Sequence, residues 1–471
     1  MGRRTFGQAL VAVVVVAATA MLVLPGAAGP PGTWTRISET TGVNIDDIGL
    51  ARTPDGVLHV AWLRKNGTKE DLVHTSIRPD GGVLAAANAI ETGWSALGNP
   101  DLIVQPDGTL RVFFGGIRST NAGDTNSGMN TSVGNAAGTA WSLKPGRAAA
   151  DNSAYASPAG AGLTSGGAPV STWAISFRLG VHFGVDPSTP DLLFPGGCCV
   201  YQPDLATDAG TGETVVGFYS NITDDSGLFT RTVAPTVGDR QYVPGSATAD
   251  HKSSLSIDQR MAITGRLGAP GVFVAYGAGY PTFATVNLWR HGTSNAIVVA
   301  KAARAEDISI AAAPEGRLWV MWWRSGRLWA TRSNKAATRF EPLASIAAPA
   351  GTSSIWKVKG EGSLGPLDLF ASVTTSGGAL AFWHQQVLPG LSLSAKPARV
   401  SRKKGGTVTF SVTDAGDPVS GATVAVGKKK LTSNAKGKAT LKVAKGAKKA
   451  TLRASARKQG YRPASAKASV R

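Results

Sequence analysis

Four aspartates open short apolar runs that recur along the chain: Asp47-Ile48-Gly49-Leu50, Asp101-Leu102-Ile103-Val104, Asp204-Leu205-Ala206 and Asp307-Ile308-Ser309-Ile310. Carboxylates gathered round one axis supply the hard oxygen ligands that Ca²⁺ prefers. They would equally accept hydrogen bonds from a cationic or polyhydroxylated ligand. The competing reading is structural: each Asp accepts backbone N–H groups from a neighbouring unit. Repetition favours the structural reading, because a structural role repeats and a site is usually single. Arg64, Arg118, Asp124, Asn221, Asp224, Asp225 and Tyr280 fall in connections expected at the same face. With the four Asp residues they make up the candidate ligand-binding set.

The two cysteines are adjacent, in Gly196-Gly197-Cys198-Cys199-Val200 just ahead of Asp204. In an exported chain a lone pair tends to oxidise, and with no third Cys the only internal bond is Cys198–Cys199. Neighbouring Cα atoms lie about 3.8 Å apart, below the usual disulfide range of about 4.4–6.8 Å. Such a ring is strained and would form a stiff apolar ledge at a binding face. A reduced pair packing a loop is the alternative. The six His residues (59, 74, 182, 251, 291 and 384) lack zinc-ligand spacing, and no nucleophile motif stands out.

The elements that would position these groups are visible as a repeat. Pro54 to Trp62 reads PDGVLHVAW, Pro106 to Phe114 reads PDGTLRVFF, and Glu315 to Trp322 reads EGRLWVMW. Weaker copies begin at Gly166, Gly212, Ala269 and Gly365. A Gly turn leading an aromatic-tipped strand about every 50 residues implies an all-β propeller. Seven blades are favoured, starting near residues 47, 99, 157, 203, 260, 307 and 354, with six the alternative. Trp62, Phe114, Trp173, Tyr219, Tyr276 and Trp322 are expected to pack between blades. Fourth strands are expected to start near Trp94, Trp141 and Phe340. Thr33 to Ile37 reads as a fourth strand with no blade before it, while the last unit lacks its own. The N-terminal strand is therefore expected to complete the last blade, which removes an open sheet edge.

Residues 33–388 resemble the sialidase-like superfamily, whose Asp-box turns have the form Ser-x-Asp-x-Gly-x-Thr-Trp. Degraded versions stand at Ser333 to Phe340, at Ser132 with Gly138-Thr139-Ala140-Trp141, and at Ser76 with Asp80-Gly81-Gly82. The resemblance implies a glycan-directed propeller. The family's enzymes use three arginines, a Tyr–Glu pair and an Asp acid. Here Asp46-Asp47 occupies the place of the first arginine, and Ser38 follows Arg36-Ile37 where the family has Pro. Glu70, Glu213 and Glu361 lie in or beside turns, and no Tyr–Glu pair is evident. The expectation is a propeller that binds a glycan or cell-envelope ligand without established catalysis. A glycoside hydrolase and a protein-binding scaffold are the alternatives.

Residues 1–28 read as an export signal. Arg3 and Arg4 precede the apolar run Ala9–Leu24, and Pro25 and Gly26-Ala27-Ala28 follow. Arg3-Arg4-Thr5-Phe6 resembles a twin-arginine signal, from which Gly2, Gly7 and Gln8 depart, so export by the general secretory route is the equal expectation. No later segment is long and apolar enough to span a membrane. Charge is uneven: residues 391–471 hold 20 Lys+Arg and 2 Asp, a net of +18, whereas residues 1–390 hold 29 basic and 28 acidic residues, a net of +1. The stretch 391–471 alternates like half-buried strands and resembles bacterial Ig-like and carboxypeptidase-regulatory-like modules, with an unusual Lys content. An Ig-like β-sandwich is expected there. Its cations keep it soluble or grip anionic wall polymer, lipid headgroups or acidic glycans. Together these readings predict a secreted or cell-wall-associated bacterial monomer with an extracellular glycan or anionic polymer as partner. Nucleic acid is not expected, nor a cofactor beyond Ca²⁺.

Overall fold

A computed structural model describes residues 31–38, 48–118, 128–144, 159–175, 178–187, 190–195, 200–222, 225–246, 261–279, 283–302 and 304–471. Among the described residues the chain is all-β apart from a 3₁₀ turn at Pro314–Gly316. Seven antiparallel sheets follow one another along residues 35–387. Sheet 1, for example, runs Gly49–Arg52, Leu58–Asn66, Lys69–Ile77, Val83–Trp94 in simple up-and-down order. The innermost strands of sheets 1 to 7 are Gly49–Arg52, Asp101–Val104, Gly160–Leu163, Val200–Thr207, Ala262–Gly265, Glu306–Ala313 and Thr352–Glu361. Each lies beside the next, and the seventh lies beside the first. The sheets therefore close into a ring, which defines a β-propeller.

Close approach of the inner strands requires small residues. A Cβ at Gly160 would meet the Asp204 Cα at 2.7 Å, and one at Gly265 would meet the Thr207 carbonyl oxygen at 2.3 Å. The aromatic strand tips fill the wedges between sheets, as their spacing predicts. Trp62 packs with Phe370 and Phe382 of sheet 7, Phe114 with Leu63 and Trp94 of sheet 1, and Trp322 with Phe273 and Leu288 of sheet 5. All three are essentially buried.

The N-terminal strand does close the ring. Thr35–Arg36 pairs with Leu380–Val387 as the fourth strand of sheet 7, with Thr35 opposite His384. The Ser38 hydroxyl accepts the Phe382 N–H at 2.8 Å, and the Trp34 indole donates to the Ala347 carbonyl of sheet 6 at 2.8 Å. Beside this seam the buried Arg52 of sheet 1 reaches Glu361 at 2.5 Å and also pairs with Asp368, both on sheet 7. Asp368 in turn binds His384 at 2.8 Å and Gln386 at 3.1 Å.

One strand differs from expectation. The fourth strand of sheet 1 starts at Val83 and ends at Trp94 rather than starting there. Ala96–Leu97 then adds a short fifth strand to sheet 2. The reason is the Asp80 turn: its carboxylate accepts the Gly82 N–H at 2.9 Å and sends the chain straight back along sheet 1.

Residues 391–471 form two facing sheets. One contains Ser392–Lys396, Gly406–Asp414, Asp417–Pro418 and Lys438–Val443. The other contains Arg399–Val400, Thr423–Val426, Lys429–Thr432, Ala450–Arg457 and Ala464–Val470. Val408, Phe410, Val412, Val424, Leu441 and Ala456 share one core between them, the pattern of a β-sandwich. The sandwich is tied to sheet 6 by buried charges. Arg332 reaches Asp414 at 2.5 Å, Arg317 reaches Asp417 at 2.7 Å, and Glu341 accepts from Arg462 at 3.1 Å.

Candidate functional site

The seven inner strands surround a central cavity of about 330 Å³. Every sheet contributes to its wall, including Leu50, Asp101, Ala161, Asp204, Ile263, Ile310 and Glu361. Asn99, Asp101, Gln202 and Asp204 border the cavity beside sheets 2 and 4, and Thr264, Ser309, Lys359 and Glu361 add polar groups from sheets 5, 6 and 7. Gln202 has φ 47°, and the pairing slips between Tyr201 and Asp204, so a β-bulge sets this part of the wall.

The aspartates divide in role. One Asp101 oxygen accepts its neighbour's Leu102 N–H at 3.0 Å, and the other accepts the Ala161 N–H of sheet 3 at 2.8 Å. Asp204 accepts the Leu205 N–H at 2.8 Å. Asp307 is buried, accepts the Val358 N–H of sheet 7 and lies 3.6 Å from the Lys357 ammonium. Asp101 and Asp307 thus brace one sheet against the next, as the structural reading of the repeat expects, and among the described aspartates Asp101 and Asp204 border the cavity. Among the described residues no three Asp, Glu, His or Cys side chains converge as a metal site.

Arg118 lies toward the rim, away from the cavity wall. It pairs with Glu91 on the outermost strand of sheet 1 at 3.3 Å and sits over the Trp94 ring. Arg64 pairs with Asp71 at 3.0 Å within its own hairpin. Asn221 and Asp225 occupy the facing ends of two paired strands, opposite Ser226 and Ile222. Asp47, Asp124, Asp224, Tyr280, Cys198 and Cys199 lie outside the described residues.

Glu70 and Glu361 lie beside turns, as the sequence reading has them, one near the start and one at the end of a strand. Glu70 lies in the strand Lys69–Ile77, takes the Leu97 N–H at 2.6 Å and pairs with Lys65 at 2.5 Å, so it braces sheet 1 against the start of sheet 2. Glu361 ends the inner strand of sheet 7 and is held by Arg52 and by the Ser363 N–H at 2.7 Å. Glu91, unremarked in the sequence, accepts the Ser132 hydroxyl at 2.9 Å. In sheets 2 and 6 the turns between third and fourth strands are held by asparagines. Asn334 accepts the N–H groups of Thr338 and Arg339 at 2.8 and 3.1 Å, and Asn135 accepts that of Thr139 at 2.9 Å.

A second cavity, about 450 Å³, lies between sheets 4 and 5 beside Asp208, Glu213, Arg290 and His291. Its buried Asp208 is occupied by the N–H groups of Gly210 and Gly271 at 2.7 and 2.8 Å. His291 contacts Thr230 and Thr232, and burial lowers its pKa, so it stays neutral there.

Fold and site together define a ring-closed β-propeller with an acid-bordered central cavity and an appended β-sandwich. No protein-family model and no curated protein sequence matches the chain. Three solved structures show what it is similar to. The polysaccharide lyase Uly1 is 10% identical, with 75% of this chain and 92% of that chain covered at a TM-score of 0.43. A Penicillium chrysogenum alpha-L-arabinanase in complex with arabinobiose is 11% identical, with 65% and 99% covered at 0.43. The Hadza microbial sialidase Hz136 is 10% identical, with 68% and 74% covered at 0.40. The strand order described above, rather than these distant likenesses, defines the fold.

Proposed function

We propose that the chain is an exported glycan-binding propeller whose cavity takes a neutral, polyhydroxylated sugar chain without cleaving it. The supporting observation is the composition of the cavity wall. Asp101, Asp204, Asn99 and Gln202 border it, and its described lining holds a single cation, Lys359, with no Arg and no Tyr. Carboxylates and amides accept and donate to sugar hydroxyls. A sialic acid carboxylate would instead call for a cluster of guanidinium groups at that place, where the wall has one ammonium. The one Glu of the wall, Glu361, has its oxygens engaged by Arg52 and by the Ser363 N–H rather than turned to a ligand. In this reading residues 1–28 direct export, and the mature protein works outside the cell or at the wall.

The test is incubation of the full chain with neutral, sialylated and bacterial-envelope glycans, read by mass spectrometry for capture and for cleavage. Capture of neutral glycans without products is expected. Asp204→Asn should weaken that capture by roughly tenfold, the scale of one hydrogen bond to a charged group. Cleavage products would make the protein a hydrolase. Capture insensitive to Asp204→Asn would move the site away from the cavity.

A further inference from the structure

The sandwich contains two carboxylate side chains, Asp414 and Asp417, and both face the propeller. They meet Arg332 and Arg317, while Arg462 meets Glu341. Every other Lys and Arg between residues 391 and 471 is exposed. The ion pairs of this stretch are confined to the contact with sheet 6, so nothing on the sandwich itself offsets the outward cations.

The backbone also gathers six of these cations at one pole. The strand Gly406–Asp414 has nine residues and runs from the pole to the propeller contact, roughly 27 Å at about 3.3 Å per residue. Beyond its Gly406 end, Arg402, Lys403 and Lys404 form a turn closed by the Gly405 N–H on the Ser401 carbonyl at 2.8 Å. The Gly446 N–H donates to the Arg402 carbonyl at 2.7 Å, which brings the turn carrying Lys445, Lys448 and Lys449 alongside. The two turns touch so closely that a Cβ at Gly405 would lie 2.8 Å from the Lys445 nitrogen. On the neighbouring sheet Arg453 stands directly opposite Lys467. Like charges placed opposite one another are destabilising, and charges within about 10 Å repel at moderate salt. Folding therefore concentrates positive charge where fold stability gains nothing from it.

We infer that this pole binds a linear polyanionic glycopolymer by charge. The composition selects among anions. Lysines outnumber arginines 14 to 6 between residues 391 and 471, and an ammonium reads charge density rather than the planar geometry a guanidinium fork matches. The only aromatics of the stretch are Phe410, which is buried, and Tyr461, which faces Asp414 at the propeller contact. No large apolar side chain of the stretch is exposed. The pole thus lacks the stacking platform that single-stranded nucleic acid uses and the apolar wedge that fixes a protein in a bilayer interface. What it offers is a rigid, dry-cored array of hydrated cations, suited to a flexible chain carrying carboxylate or phosphate at every repeat. This inference stands independently of what the propeller cavity holds.

The experiment uses the full chain on immobilised polygalacturonate and immobilised long-chain polyphosphate, the two arms separating carboxylate from phosphate. Retention on at least one should fall by roughly tenfold or more between about 50 and about 200 mM salt, the signature of counterion release. The variant Lys403→Gln/Lys404→Gln/Lys445→Gln/Lys448→Gln/Lys449→Gln should lose roughly tenfold in retention and show a shallower salt slope, with a melting temperature no lower than the parent's. A propeller variant, Lys144→Gln/Lys301→Gln/Arg324→Gln, should bind as the parent does. Equal retention of the pole variant, or salt-independent retention, would overturn the inference. Tighter binding to phosphatidylglycerol vesicles or to a DNA duplex than to both polymers, at equal salt, would overturn the choice of a glycopolymer.

Discussion

Arg52 in the propeller lies buried between Glu361 and Asp368, whereas Arg453 in the sandwich lies exposed opposite Lys467. The first is a cation enclosed by the anions it needs. The second is a cation placed where its nearest cross-strand neighbour repels it. Glu70, Asp101, Asp208 and Asp307 of the propeller follow the Arg52 pattern, each joining a backbone N–H of an adjoining segment or sheet. Charge in the propeller assembles the ring, and charge on the sandwich is left for something outside the molecule.

The largest effect should come from breaking the enclosed pattern. Arg52→Met leaves Glu361 and Asp368 without their partner at the ring-closing seam. Losing one member of a buried ion pair costs about 3–5 kcal/mol, which denaturant unfolding would measure. Asp414→Asn combined with Asp417→Asn should come next, because it strands Arg317 and Arg332 between propeller and sandwich. A loss of about 3 kcal/mol is expected at that contact, read as faster proteolysis between residues 387 and 392.

The two regions should also answer pH in opposite senses. His59 and His74 lie 2.9 Å apart in the interior of sheet 1, and burial lowers their pKa values to about 4 and about 3. Their contribution to stability is complete above the ordinary value of 6.5 and is lost as pH falls through the folded values. The slope is roughly 1.4 kcal/mol per pH unit for each neutral imidazole. Glu341, at the sandwich contact, is raised by burial to about 7, against the opposing pull of the Gly390 N–H and Arg462. Its protonated form is favoured in the folded state, so its contribution weakens as pH rises from the ordinary 4.5 to about 7. Unfolding free energies at pH 5 and pH 7 should show Glu341→Gln gaining on the parent at pH 7. Replacing His74 by Phe should flatten the acid-side loss. The smallest effect belongs to the sandwich face: Arg453→Ser relieves a like-charge pair and should raise stability by about 0.2–0.5 kcal/mol.

Much of the ring was readable from the chain because its signals are local. A Gly turn, an alternating strand and an aromatic tip are neighbours in sequence, and the unmatched strand at Thr35–Arg36 announced its own missing partner. The braces were less readable. Nothing near Glu70 says that it will take the Leu97 N–H, and nothing near Asp414 says that it will meet Arg332, because those partners are set only once sheets stand side by side. Trp94 misled for a related reason: an aromatic marks a strand in either direction, and the Asp80 turn decided that it would end one. Asp307 shares its sequence setting with Asp101 and Asp204, yet a bulge between Glu306 and Ser309 turns it into the wall rather than toward the cavity.

The closing strand has a consequence for biogenesis. Ser38 and Phe382 bond across 344 positions of chain, so the closing strand, made ahead of the rest of the ring, must wait for nearly the last strand of the ring. Until then sheets 1 to 6 stand as an open arc, with the apolar flanks of sheets 1 and 6 bare and the outer edge of sheet 7 still to come. Contacts of such sequence separation form late and slowly, and bare flanks invite association with other nascent chains. A chain truncated before Leu380 would never leave that state. The seam is therefore the step at which a chaperone or a protease would decide this protein's fate.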